Sequence, residues 1–176
     1  MIFLKEDGAI CLNDGEDVVV FPLLKDELKL LLEDKNYFEN YLNLKYEGEP
    51  IENMKETFSS QLKRQTEDPD NWVFHAVWVV ASIKYRAIVG SLVMKDVPDS
   101  LGRLDIGYIV ARPYRRQGII TSAVSLICDW AFDNNILSVT ACVKEDNTPA
   151  IRVLEKNDFV ITKHEKEMVY FQKDRK

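Results

Sequence analysis

The sequence predicts a mixed α/β fold, α+β in character: a central twisted sheet, mostly antiparallel, with one parallel strand–helix–strand crossover and helices against it. Three observations carry this expectation. Residues 104–143 read strand, turn, helix, strand, and a strand that returns parallel needs such a crossover. Paired β-branched runs lie before and after that unit, as hairpins do. Helical apolar spacing fills residues 24–62.

Residues 1–4 and 9–12 read as two short strands around Asp7-Gly8, a hairpin-turn dipeptide. A β-branched run at 18–21 ends at Pro22. Leu24, Leu28, Leu31 and Leu32 then share one helical face. Tyr37, Phe38, Tyr41 and Leu42 mark a second short helix, and Ile51, Met54, Phe58 and Leu62 a third. The cluster Asp68-Pro69-Asp70-Asn71 stops it. Residues 72–81 and 87–95 form a hairpin of two strands, with Trp72, Phe74 and Trp78 as sheet residues rather than a ligand cage. Residues 104–110 are a third strand.

The strongest helix is 119–132. Ile119, Ala123, Ile127 and Ala131 form one row, and Ile120, Val124, Cys128 and Phe132 the next. Two such rows make a wide apolar stripe that must lie on a sheet. Val139, Ala141 and Val143 form the following strand. Thr148-Pro149 offers a capping hydroxyl and a proline at the first helical position, and that helix ends near Asn157-Asp158. Strands at 159–162 and 168–171 close the chain.

Composition narrows the function. The chain has 176 residues, 46% apolar and 30% charged, which suits one compact domain without linkers or repeats. Its net charge of −6 argues against a nucleic-acid partner and suits a cationic substrate. Three cysteines, Cys11, Cys128 and Cys142, make no disulfide framework, which points to a reducing, cytoplasmic setting. Nothing in the sequence pairs Cys142 with His164 as a nucleophile. His75 and His164 lack partners at metal-ligand spacing, so no metal site is expected. The apolar run at 76–81 is too short for a membrane span, and the opening residues meet Lys5, Glu6 and Asp7 too soon for a signal peptide.

The chemistry concentrates in the turn from Arg112 to Thr121. Three arginines, Arg112, Arg115 and Arg116, fall within five residues just ahead of the strongest helix. A helix start offers unpaired N–H groups and partial positive charge, and Gly118 lets a phosphate approach the backbone. This is either an anion site of pyrophosphate size or a solvated strand-to-helix turn. It is neither a Walker A loop nor a dinucleotide fingerprint.

Here the sequence resembles the GNAT N-acetyltransferase superfamily, in its RimJ/RimL-like branch. That family's coenzyme A loop reads (Gln/Arg)-x-x-Gly-x-(Gly/Ala), and Arg115-Arg116-Gln117-Gly118-Ile119-Ile120 matches its first two fixed positions. Asp105-Ile106-Gly107-Tyr108 resembles the branch's Glu-Ile-Gly-Tyr strand. Asn147-Thr148-Pro149-Ala150 and Val153-Leu154-Glu155-Lys156-Asn157-Asp158-Phe159 resemble its segment Asn-x-x-Ser-x-x-Val-Leu-Glu-Lys-x-Gly-Phe. The resemblance is strong over residues 88–159.

It implies a single GNAT-like domain over 1–176: an extra N-terminal hairpin at 1–17, a strand and acceptor-side helices at 18–71, and the sheet and coenzyme A-binding core at 72–176. It implies acetyl-coenzyme A as co-substrate. Backbone N–H groups of Gln117, Gly118, Ile119, Ile120 and Thr121, with Arg115 and Arg116, would hold the pyrophosphate. Ile109 and Val110 would pair with the pantetheine arm, and Asn147 would bond it from the far side; Asn147 also reads as a plain turn residue. Ile120 stands where the family has Gly or Ala, and the helical period sends its side chain to the core. Ala150 replaces a serine, Leu154 falls where other branches carry a tyrosine acid, and Asp158 replaces a helix-ending glycine. Tyr108 and Tyr170 are either proton donors to the leaving thiolate or packing residues, since a strand aromatic packs first and donates second.

An alkyl ammonium with pKa near ~10.4 needs a base before it attacks a thioester, whereas a peptide α-amine near ~7.7–8.0 needs little help. Asp105 aligns with the branch's glutamate and is the candidate base; its other reading is a strand carboxylate paired with Arg103 or facing solvent. A short Asp and the absent serine lean towards a protein or peptide N-terminal α-amine as acceptor. Alternatives are a small-molecule acceptor (polyamine or antibiotic), a non-catalytic acyl-coenzyme A sensor, and an anion-binding structural protein. Tyr37, Phe38 and Tyr41 either line the acceptor pocket or pack. The protein is expected to be a monomer or homodimer.

Overall fold

The computed structural model describes residues 9–176, so the strand expected at 1–4 and its Asp7-Gly8 turn lie outside the described residues. The first strand, β1, is Leu12–Asn13 rather than 9–12, and it pairs antiparallel with β2, Val18–Pro22. The cause is Asp14. Its carboxylate accepts the N–H groups of Glu16, Asp17 and Val18, each at 3.0 Å, and so closes a turn leading straight into β2.

Helices α1 (Lys25–Glu33) and α2 (Lys35–Leu42) follow, then a two-residue strand β3 (Lys45–Tyr46) and the long helix α3 (Ile51–Glu67). The apolar spacing of α1 holds: Leu28 and Leu31 are buried, while Leu24 sits exposed ahead of the helix. In α2, Phe38 is buried and Leu42 packs beside it, but Tyr37 and Tyr41 are about 60% and 62% exposed. Helix α3 is anchored by Phe58 and by two buried glutamines. Gln61 Nε2 donates to the carbonyls of Ala76 and Met94, and Gln65 Nε2 to that of Leu23.

The strand expected from residue 72 begins only at Val77. Pro69–Asn71 form a 3-10 turn that continues into a helical turn, α4 (Trp72–His75). Asp68 stabilises it by accepting from Asn71 Nδ2 and contacting His75 Nε2 at 3.1 Å. Phe74 then packs against Trp130, and Trp78 Nε1 donates to the Val73 carbonyl. Packing against a neighbouring helix outweighs the β propensity of Trp-Val-Phe.

The remaining elements are β4 (Val77–Ser82), β5 (Ala87–Met94), β6 (Arg103–Val110), α5 (Ile119–Asp133), β7 (Ser138–Lys144), α6 (Thr148–Lys156), β8 (Val160–Glu165) and β9 (Met168–Asp174). The sheet order is β1-β2-β4-β5-β6-β7-β9-β8, with β3 added beside β5. Along that order the pairs are antiparallel except β6 with β7, the crossover expected from the sequence. One sheet face carries α5, whose buried residues include Ile119, Ile120, Ala123, Val124, Ile127 and Cys128. The other carries α1 to α3 around Leu28, Leu31, Phe38 and Phe58.

Strand β5 changes neighbour halfway. Ala87 and Ile88 pair with β3, whereas Gly90 to Met94 pair with β6. Between them Val89 has no partner on β4, which pairs Val80 with Gly90 and Ala81 with Ile88. Such a bulge bends the strand and increases its twist. At Gly90 a Cβ would lie 2.5 Å from the Ile109 carbonyl oxygen, so only glycine lets β6 approach there.

Candidate active site

The parallel ladder between β6 and β7 runs from Arg103↔Ser138 to Ile106↔Ala141 and then stops. Strand β6 continues through Gly107 to Val110, paired on its other edge with β5. The two parallel strands therefore part beyond Ile106. In an antiparallel ladder, a residue's N–H and C=O point to the same side, alternating along the strand. Asp105 O accepts from Lys95 N and Ala111 N donates to Val89 O, so the odd-numbered residues face β5. Ile109 is thus committed to β5 opposite Ser91, while Tyr108 and Val110 present their peptide groups to the gap. Arg115 Nε confirms the side by donating to the Val110 carbonyl at 3.1 Å.

A cleft of about 330 Å³ fills the gap, lined by Gly107, Tyr108, Cys142, Lys144, Asn147 and Ala150 among others. Tyr108 spans its floor, donating its hydroxyl to the Ala150 carbonyl at 2.9 Å. Burial pushes that phenol well above its ordinary range, so it stays a neutral, engaged donor. Asn147, not Thr148, caps α6: its side-chain oxygen accepts from Ala150 N at 3.3 Å. Thr148 falls one place inside the helix because an amide oxygen on the preceding residue is the better placed acceptor. Asp158 takes the left-handed conformation expected of it, with φ 62°.

The arginine turn opens onto the far end of the gap. Gly118 caps α5 with φ 79°, and no atom lies within 4 Å of where a Cβ would stand. The first α5 amide with an intrahelical-type partner is Ser122, bonded to the Gly118 carbonyl at 3.0 Å. The N–H groups of Ile119, Ile120 and Thr121 precede it, at the positive end of the helix. Ile120 sends its side chain into the core, as its period requires. Among the described residues, none of Arg112, Arg115 and Arg116 forms an ion pair. Arg116 has φ 62°, a left-handed residue that helps the turn double back.

Two tethers were not read from the sequence. Tyr85, in the β4–β5 turn, donates its hydroxyl to Gln117 Oε1 at 2.7 Å and packs edge-on against Tyr114. The buried Asn157 donates Nδ2 to the Thr121 carbonyl at 3.1 Å and so ties the end of α6 to the start of α5. Neither side chain carries a local pattern that names a partner so distant in sequence.

Asp105 lies on the opposite sheet face. Its cross-strand neighbour is Thr140, whose own neighbour on β9 is Gln172. Its ion-pair partner is Lys95, at 3.0 Å, and not Arg103, which is taken by Asp99 at 2.7 Å. The turn before β6 folds Asp99 back onto Arg103, leaving Lys95 as the cation beside Asp105. Asp105 Oδ1 is buried and accepts no hydrogen bond. These residues, with Cys142 and Tyr170, line a groove of about 640 Å³. Ala141 and Cys142 line both this groove and the cleft, so the two adjoin through the strand gap. His164 is not among the groove-lining residues.

The chain matches the Acetyltransferase (GNAT) domain family over residues 25–160. It is 28% identical over 85 residues to YjdG, an uncharacterized N-acetyltransferase of Bacillus subtilis, a match covering 48% of this chain and 51% of that protein, about half its length. In fold it is similar to a ribosomal-protein-S5-alanine acetyltransferase from Vibrio fischeri, with a TM-score of 0.66, 17% identity, and coverage of 94% and 96% of the two chains. Mycobacterium smegmatis RimJ, in complex with CoA-disulfide, superposes with a TM-score of 0.63 at 18% identity over 94% and 86%. On the family match, which takes in the gap, the arginine turn and Asp105 alike, the chain belongs to the GNAT acetyltransferases, a family that uses acetyl-coenzyme A.

Proposed function

We propose that this protein transfers the acetyl group of acetyl-coenzyme A to a primary amine, with a peptide or protein N-terminal α-amine as the preferred acceptor. The observation that carries the reading is the early end of the β6–β7 ladder beside an unpaired helix start. An extended arm bearing amides fits such an edge as an added strand, and a diphosphate fits the α5 amides and the arginine turn.

Acetyl-coenzyme A supplies an activated thioester; this chain's residues do the rest. Tyr108 and Val110 present peptide groups to the arm, and Arg115 would leave the Val110 carbonyl to meet a phosphate. Asn147 borders the arm from α6. Asp105 takes the amine's proton in the groove, where its buried Oδ1 has no other partner. The name of the Vibrio fischeri protein of similar fold, a ribosomal-protein-S5-alanine acetyltransferase, supports a protein acceptor.

The Lys95 ammonium on Asp105 and the alanine at 150 favour a second reading, a sensor that binds an acyl-coenzyme A without transfer. Thiol release measured over peptides, polyamines and aminoglycosides separates the readings. Peptides are expected to give the fastest release, and Asp105→Asn to slow it about a hundredfold. Saturable cofactor binding with no thiol release from any added amine would exclude transfer to an external acceptor.

A further inference from the structure

We infer that Lys95 is an internal acceptor, so that the protein acetylates its own Lys95 Nζ when no external amine is present. The inference rests on the reading of Asp105 as the base. An acceptor nitrogen has to lie against that base and within reach of the thioester. Lys95 Nζ already occupies the first of these positions, 3.0 Å from Asp105 Oδ2. It enters from the end of β5, where the Lys95 N–H pairs with the Asp105 carbonyl at 2.8 Å, so the two side chains project from one cross-strand pair on one face. The Lys95 side chain is 46% exposed, free enough to swing towards the gap. The groove it lines joins the cleft through Ala141 and Cys142.

The step balances. Lys95 gives one proton to Asp105, and its neutral nitrogen forms a bond to the acetyl carbonyl carbon. The carbon–sulfur bond breaks, the electron pair leaves with sulfur, and the second amine proton goes to that thiolate. The products are an amide at Lys95 and free coenzyme A thiol.

A second lysine provides the control. Lys144 lines the cleft itself, yet among the described residues no carboxylate pairs with it. Proximity alone would acetylate Lys144 at least as fast; base assistance selects Lys95.

The test incubates the purified chain with acetyl-coenzyme A and no amine, then maps acetylation by tandem mass spectrometry after aspartate-directed cleavage, which puts Lys95 and Lys144 on separate peptides. Lys95 is expected to gain the acetyl group about a hundredfold faster than Lys144. Asp105→Asn should remove that advantage and leave Lys144 at its background. Equal modification of the two lysines, or an undiminished rate at Lys95 in the variant, would overturn the inference. Should the variant lose its thermal shift with acetyl-coenzyme A, the ratio of the two lysines in the unaltered chain decides alone. Thiol release with peptides while Lys95 stays bare rejects the inference and leaves the proposed function standing. Acetylation of Lys95 with no release from any external amine upholds it and confines the transfer to the protein itself.

Discussion

Cys128 and Cys142 sit on opposite faces of the sheet. Cys128 points from α5 into the core, and burial pushes its thiol up to about 12. Cys142 is half-buried on β7, opposite Tyr170, and lines both cleft and groove. Its hydrogen bond with the Tyr170 hydroxyl raises the phenol above its ordinary value. Because the thiolate is the reactive form, iodoacetamide at neutral pH should label Cys142 and spare Cys128. Saturating acetyl-coenzyme A should slow labelling of Cys142, which peptide mass mapping reads directly. At this scale the sequence spoke unevenly. Asp105 stood out only through its resemblance to the branch's glutamate, whereas Ile120 was legible because its period points to the core. Lys95 was not, since a lysine at a strand end says nothing of which carboxylate faces it. Ile109 and Val110 were legible only as a pair; which of them faces the gap depends on register, and register is a property of two strands.

Among the elements, β5 and β6 depend on the bare Cα of Gly90. An added methyl would meet the Ile109 carbonyl at 2.5 Å and force the strands apart beside the gap. Gly90→Ala should cost about 1–3 kcal/mol in urea unfolding and weaken acetyl-coenzyme A binding with it. The junction of α2 and β3 turns on Glu39, which is buried and accepts from Tyr46 N at 2.9 Å and Lys45 Nζ at 3.0 Å. Burial pushes its carboxyl up, but the Tyr46 N–H and the Lys45 and Lys35 ammoniums outweigh it and hold the group below its ordinary value. A depressed carboxyl adds stability in full above the ordinary glutamate range, and that stability fades as pH falls through the folded-state value. The stability gap between the unaltered chain and Glu39→Gln should therefore narrow on going from neutral pH to about pH 4 in urea titrations. Helix α5 was legible from periodicity because it lies on the sheet by one stripe, and α6 from the proline at its start. β3 was not, being two residues long and made only by its neighbour. The segment Trp72–His75 misled for a related reason: its residue types suit a strand, and its fate is set by Trp130, far along the chain.

For the whole molecule, binding should appear as stability. A hundredfold excess of acetyl-coenzyme A over its dissociation constant adds about 2.7 kcal/mol, or about 5–10 °C in Tm for a chain of this size. Differential scanning calorimetry tests it, and no shift would count against donor binding. The parallel crossover and its hairpins were legible because each strand type repeats a local pattern. The order of strands at the edges was not, because nothing local says that β9 lies between β7 and β8.

The early end of the β6–β7 ladder carries a consequence for how such a protein changes over generations. A docking surface composed of peptide groups belongs to the path of the chain, and almost any side chain can be exchanged without erasing it. That is in keeping with folds shared at only 17% and 18% identity with the Vibrio and Mycobacterium proteins. The opposite groove is drawn by side chains such as Lys95, Asp105 and Gln172, each one codon away from a different surface. On the proposed function, descent would hold the donor fixed and leave the recipient free to drift.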